Sequence, residues 1–336
     1  SAFACGGFSV AMLVYIFNRG EYHPLVRPAL LASLFGYTLA AAGVVFDLGR
    51  WWNVWNMFWP WSFNPNSVMF EVAWCVMLYN TVLALEFAPA VCERFGWHIA
   101  LQWIKAISVP LVILGVILST LHQSSLGSLY LSVPSKLYPL WYTPFLPVFF
   151  YISAICVGLA MTIFEARHSS KAFNRDMHMP LMSSLSRVLA VLLAFYLVLR
   201  FQDLRHREVL DLLWIPRTET YLFWLEIGLF ITGMGLLFVR RIRANADSLY
   251  IASLFVIFGF LTNRLNISLT GMEAASGTRY IPKWTEIMVT LSVVAIGFAV
   301  FRAAVKYLPV FEEHDEEPGA AHATESVEMD ELVLTR

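Results

Sequence analysis

Nine stretches of the chain are apolar over close to twenty residues, and together they cover most of it: residues 1 to 17, 25 to 46, 67 to 91, 105 to 121, 143 to 166, 181 to 200, 219 to 239, 248 to 270 and 284 to 305. A hydrocarbon core about 30 Å thick takes roughly 20 residues of α-helix to cross. Backbone N–H and C=O groups find no water in it, so a spanning segment must satisfy them itself, as a helix, or in a closed barrel. Barrel strands alternate in polarity over about ten residues, and these runs do not alternate. The sequence therefore predicts an all-α, polytopic bundle of nine transmembrane helices. The first run opens inside an apolar stretch, SAFACGGFSVAMLVYIF, without Met or a basic flank, so it is no signal peptide, and a further span upstream is expected, ten in all.

Charge supports this reading. Of 336 residues, 14% are charged and 58% hydrophobic, where a soluble protein of this length carries about 25% charged. Disordered, fibrous, disulfide-scaffold and nucleic-acid-binding classes are thereby excluded. The net charge of −1 conceals a division. From Glu312 onward lie nine acids and one base, so residues 1 to 311 carry +7 and form the membrane domain, and residues 312 to 336 form an acidic tail without apolar periodicity, expected to be disordered. Cys5, Cys75, Cys92 and Cys156 stand singly, in no metal-binding spacing.

Bases fix the expected orientation. Twelve flank the ends of helices 1, 3, 5, 7 and 9, among them Arg27, Arg94, Lys105, Arg167, Lys171, Arg240 and Lys306; eight flank the opposite ends. The richer side, with the tail, is expected in the cytoplasm of a bacterial or archaeal cell, the chain crossing its cytoplasmic membrane. The other side carries WWNVWNMFWPW, Trp51 to Trp61, with five of the twelve tryptophans. Such a segment serves as an interfacial aromatic belt or as a portal for a flat, lipid-soluble ligand.

An ionisable group near the bilayer centre costs about 2.5–3.5 kcal/mol on insertion scales, so each one in a span needs a reason. Asp47, Glu71, His122, Arg200, Glu226 and Arg264 all fall in the non-cytoplasmic third of the predicted helices. Asp47 and Arg50 are spaced for an i,i+3 pair; His122 ends the fourth helix and is followed by Gln123, Ser124 and Ser125. Ion pairing and snorkelling are the plain explanations. A layer of acid, imidazole and guanidinium can also hold a polar head group and hand protons to a reduced carbonyl oxygen. Asp47, Glu71 and His122 are the candidates for that chemistry, with Arg50, Gln123, Ser124, Glu226 and Arg264 as binding groups. Glu86 lies about 22 Å further along the helix of Glu71. With Glu165 it could begin a proton path from the opposite side. A haem between spans needs paired axial ligands, and only His122 touches a predicted span, so neither haem nor iron–sulfur cluster nor other metal site is expected.

Six strings then carry a resemblance: NRGEYHPLVRPALL (Asn18 to Leu31), DLGRWWN (Asp47 to Asn53), FNPNSVMFE (Phe63 to Glu71), LALEFAPA (Leu83 to Ala90), HQSSLGSL (His122 to Leu129) and FWLEI (Phe223 to Ile227). They resemble the NrfD/polysulfide-reductase membrane-subunit family, above all the integral membrane subunit of periplasmic nickel–iron hydrogenase-2-type complexes. The resemblance implies a haem-free, quinone-reactive anchor. It would pass electrons from a periplasmic ferredoxin-like subunit with four-iron clusters to menaquinone or ubiquinone near the periplasmic face. A nickel–iron hydrogenase, molybdopterin-type or multihaem cytochrome c subunit would feed that partner. Electron flow could run either way. A secondary transporter and a plain structural anchor are the rival classes; no inverted repeat is evident for the former.

Overall fold

A computed structural model describes residues 6–47, 49–64, 66–173, 177–277 and 282–308. The acidic tail and Cys5 lie outside these residues, as does the side chain of Asp47. The described residues are helical with no strands, and eight helices are long and apolar enough to cross a membrane. They are α2 (Val26–Asp47), α3 (Val68–Phe95), α5 (Ser108–Leu131), α6 (Leu146–Phe173), α7 (Met179–His206), α8 (Thr218–Phe238), α10 (Ala246–Leu265) with its continuation, and α12 (Trp284–Tyr307). The first expected span is described as α1 (Gly6–Ala11) followed by one π-helical turn, Met12–Ile16. Short helices α4 (His98–Ala106), α9 (Arg240–Arg243) and α11 (Gly271–Ser276) complete the order. The chain is a multi-pass integral membrane protein.

Successive long helices run antiparallel, which sorts the connections onto two ends. One, the basic end, holds the start of α2 and the ends of α3, α6, α8 and α12. There Arg27 and Lys105 pair with Glu93, at 3.1 and 3.6 Å, tying α2 and α4 to α3. Arg167 and Lys171 of α6 pair with Asp247 of α10 at 2.6 and 3.4 Å. The other, the aromatic end, carries the 3₁₀ turns Trp51–Phe58 and Pro60–Ser62.

Helix α6 is the central pillar, with α1, α2 and α5 on one side and α7 and α10 on the other. Helices α3 and α8 complete the two lobes, α3 packed on α5 and α8 on α10. Small residues set the close approaches, as they do between helices in lipid. A Cβ on Gly127 of α5 would stand 2.6 Å from the Pro147 Cα of α6. Helix α12 stands apart: it packs on α2 and buries only Gly297.

Two expectations about elements change. Helix α5 does not end at His122 but continues to Leu131. The polar run His122 to Ser125 is covered laterally by neighbouring helices, so it does not need to leave the bilayer. Asp47 and Arg50 do not share a helix either, because α2 stops at Asp47 and Gly49 takes φ +64°, a left-handed turn.

Candidate functional site

The charges of the spans fall into two groups, held by different sets of helices. The first lies between α2, α3 and α5. Glu71 sits in the first turn of α3, one turn after the Ser67 N-cap, where a carboxylate suits the helix dipole. Its Oε1 stands 2.6 Å from the Ser125 hydroxyl of α5, which also reaches the Leu121 carbonyl at 2.8 Å. With one proton, that hydroxyl serves one acceptor at a time. Glu71 is exposed and Ser125 buried, so the pair marks the boundary between the outside and the bundle interior.

One turn deeper on α5 is His122, 2% exposed, and neither ring nitrogen has a hydrogen-bond partner among the described residues. The Ser119 hydroxyl, one turn further, is also buried and unpartnered. Buried polar groups are nearly always hydrogen-bonded, so these two groups at i and i+3 on one helix face have hydrogen-bonding capacity left for a ligand's polar atoms. Tyr37 of α2 meets the His122 ring edge-on, centroids 5.8 Å apart, and stacks edge-on with Tyr79 of α3 at 4.6 Å. Gln123 Nε2 donates to the Tyr37 hydroxyl at 3.3 Å. Above Glu71, Phe63 and Phe58 lean on Trp74, whose indole N–H is buried and unpartnered among the described residues. The tryptophan-rich segment thus packs beside this opening.

The second group lies between α6, α8, α10 and the 132–145 connection. Glu226, fully buried, accepts from Trp141 Nε1 (3.1 Å), Asn263 Nδ2 (2.8 Å) and Asn266 Nδ2 (2.9 Å). The π-helical turn Asn266–Thr270 lies where α10 passes into α11. Arg264 donates to Ser153 at 2.6 Å and lies 3.6 Å over the Phe150 ring. Arg200 donates to the Leu140 carbonyl at 2.9 Å and faces Phe149. Arg207 grips Asp203 with two N–H groups, and Asp203 accepts from Thr143 at 2.6 Å. Glu226, Arg200 and Arg207 therefore strap the 132–145 connection onto the bundle, and Arg264 ties α10 to α6.

The remaining candidates are dispersed. Arg50 is exposed before the Trp51–Phe58 turn. Ser124 lies off the Glu71 face, its carbonyl accepting from Ser128. Glu86 is half-buried on α3 against Gly115, where an added Cβ would lie 3.0 Å from Oε1. Glu165 lies on α6 near the basic end, accepting from Ser169 at 2.5 Å. Sequence reading passed over Ser119, Tyr37, Tyr79 and Trp141. Ser119 had a signal, its i,i+3 spacing to His122, but tyrosines in apolar runs carry none.

Residues 2–274 match the family described as Polysulphide reductase, NrfD. The chain is 39% identical over 313 residues to the probable Ni/Fe-hydrogenase 2 b-type cytochrome subunit of Escherichia coli K12, covering 92% of this chain and 80% of that protein. It is 25% identical to the menaquinone reductase integral membrane subunit of Nitratidesulfovibrio vulgaris (94% and 81% covered). It is 20% identical to a selenate reductase subunit of Mesobacillus selenatarsenatis (93% and 84%).

One of these names speaks of a b-type cytochrome, so the fit of a haem can be tested on the residues. Contrary to the sequence reading, two histidines rather than one lie well inside long helices, because α6 runs past His168. They do not oppose one another. His122 is fourteen residues from the basic-end start of α5, about 21 Å, and His168 five residues from the basic-end terminus of α6, about 8 Å. His168 turns its Nδ1 to the Phe164 carbonyl and packs on Tyr250 and Phe298. These two do not form an axial pair. With the family match over most of its length and a relative at 39% identity, the chain belongs to the NrfD, polysulphide reductase family of membrane proteins.

Proposed function

We propose that this protein is the quinone-reactive membrane subunit of a respiratory oxidoreductase complex. The observation that carries the reading is the buried pair His122 and Ser119, without hydrogen-bond partners among the described residues, one turn below the open Glu71–Ser125 pair and walled by Tyr37. A quinone presents two carbonyl acceptors on a flat apolar ring. Donors on one face of α5 and an aromatic wall suit both. The named relatives act in hydrogenase, menaquinone reductase and selenate reductase systems, which supports a redox complex as the setting.

In this reading a menaquinone or ubiquinone head enters beside Glu71 under the Phe58–Phe63–Trp74 edge and meets His122 at the closed end. Two electrons arrive from a ferredoxin-like four-iron-cluster subunit docked at the aromatic end, which is the periplasmic side. A periplasmic catalytic subunit feeds that partner. The chain itself holds neither haem nor cluster. Each reduced quinone takes up two protons; Glu71 and His122 deliver them, and Glu86 and Glu165 draw replacements from the basic, cytoplasmic end, where the acidic tail also lies. Electrons then flow toward the quinone.

The test replaces His122 by Gln and, separately, Glu71 by Gln in the assembled complex. Quinone-dependent turnover should fall at least about a hundredfold, while reduction of an artificial acceptor by the catalytic subunit stays intact. Turnover within twofold of wild type in both variants would reject the site.

A further inference from the structure

A cavity of about 630 Å³ lies between α2, α6 and α12, and its lining includes none of Glu71, Ser125, His122 or Ser119. Protein interiors are close-packed, and a volume of this size is that of a ligand pocket. It exists because α12 packs chiefly on α2 and meets α6 through the Phe298–His168 ring contact. The groove runs from Arg302 to Thr290 on α12, twelve residues or about 18 Å. That is close to one leaflet's share of a core about 30 Å thick.

Its lining is graded. Toward mid-membrane stand Leu39, Ala40, Met161 and Val293, with the hydroxyls of Thr162 and Thr290 bonded to backbone carbonyls; nearer the basic end the Ser33 hydroxyl accepts from the Gly7 N–H. Toward the basic end come Glu165 with Ser169, then His168, then Arg302 at the mouth. Charge decides what the mouth prefers. At this end Arg27 and Lys105 share Glu93, and Arg167 and Lys171 share Asp247. Arg302 and the nearby Lys306 are exposed and have no carboxylate within 4.0 Å among the described residues. A guanidinium in that position binds a phosphate oxygen pair.

We infer that the α2–α6–α12 groove holds one anionic phospholipid of the basic-end leaflet, its phosphate on Arg302 and one acyl chain along the apolar wall. The lipid then adds to the packing between α12 and α6, where His168 and Phe298 already meet. A quinone would reverse the emphasis, placing its head on Glu165 and His168 and using Arg302 little.

The experiment purifies the protein from its membrane with its accompanying subunits, washes it in detergent, and measures retained phospholipid and quinone by extraction and mass spectrometry. Wild type should keep about one phospholipid per chain. Ala32→Phe, which fills the groove from α2, and Val294→Phe, which fills it from α12, should each lower that at least tenfold without lowering the quinone content. Two variants on different walls guard against one that misfolds. Arg302→Gln, at an exposed position, should cut the preference for re-added phosphatidylglycerol over phosphatidylcholine about fivefold. Retention below a tenth per chain in wild type, retention unchanged in all three variants, or loss of quinone in place of phospholipid would each overturn the inference.

Discussion

Glu226 is a buried carboxylate with three neutral donors around it, and this explains how an acid persists at the heart of α8. Trp141 holds one oxygen, Asn263 the other, and Asn266 shares the first. A carboxylate only accepts, whereas a glutamine amide also donates. Glu226→Gln therefore sets an N–H against one set of donors and should cost about 1–3 kcal/mol. Glu226→Leu leaves three buried N–H groups with nothing and should cost about 3–5 kcal/mol. Trp141→Phe removes one bond of three and should cost about 1 kcal/mol. Thermal inactivation midpoints in detergent should fall most for Glu226→Leu, less for Glu226→Gln and least for Trp141→Phe. Equal losses for all three would show that the network does not share the carboxylate as drawn. Glu226 itself was legible, because an acid inside FWLEI interrupts an apolar run. Its partners were not: Trp141 and Asn263 are 85 and 37 residues away, and only packing brings them to it. The same holds for Glu71 and Ser125, 54 residues apart.

Among the elements, α5 shows how hydropathy can locate a helix and still misplace its end. Its apolar run finishes at Leu121, and the next four residues are polar. The helix nevertheless continues ten residues to Leu131, because His122, Gln123 and Ser125 are buried sideways against α2 and α3 while the backbone bonds stay within the helix. The helix carries Gly115, Ser119 and Gly127 at multiples of four, and the two glycines touch different neighbours. At Gly127 an added Cβ meets the backbone of Pro147 at 2.6 and 2.7 Å, and backbone cannot rotate aside. Gly127→Ala should therefore separate α5 from α6 and destabilise by about 1–3 kcal/mol. At Gly115 the added atom meets the Glu86 carboxyl at 3.0 Å, the far end of a flexible side chain. Gly115→Ala should be nearly neutral for stability. Comparing the two midpoints for loss of folded protein in detergent checks the difference; a Gly127→Ala variant as stable as Gly115→Ala would mean the α5–α6 contact is not tight.

Across the whole molecule, antiparallel spans put every connection on one of two unlike ends. The sequence count of twelve bases against eight already separated them, since short-loop bases are unaffected by how helices pack. What the count could not anticipate is that bases on the richer end are partly neutralised, by Glu93 and Asp247, which leaves Arg94 of α3, Arg240 and Arg241 of α9, and Arg302 and Lys306 of α12 among its exposed bases. On the other end Asp203 neutralises Arg207, and the Leu140 carbonyl holds the buried Arg200, so less charge is exposed there too. The positive-inside bias thus survives ion pairing, and by that bias the basic end is expected in the cytoplasm. Single cysteines test that placement. Ala244 is exposed beside α9 at the basic end, and Ser62 is exposed at the aromatic end. Background labelling is low, because Cys75, Cys92 and Cys156 are buried, and Cys5 can be replaced by Ser. In intact cells whose outer membrane is permeabilised, a membrane-impermeant maleimide should label Ser62→Cys and spare Ala244→Cys. In inverted membrane vesicles the pattern should reverse. Labelling of Ala244→Cys from outside would turn the molecule over, moving the Glu71 opening to the cytoplasmic face and with it the expected side of the electron donor.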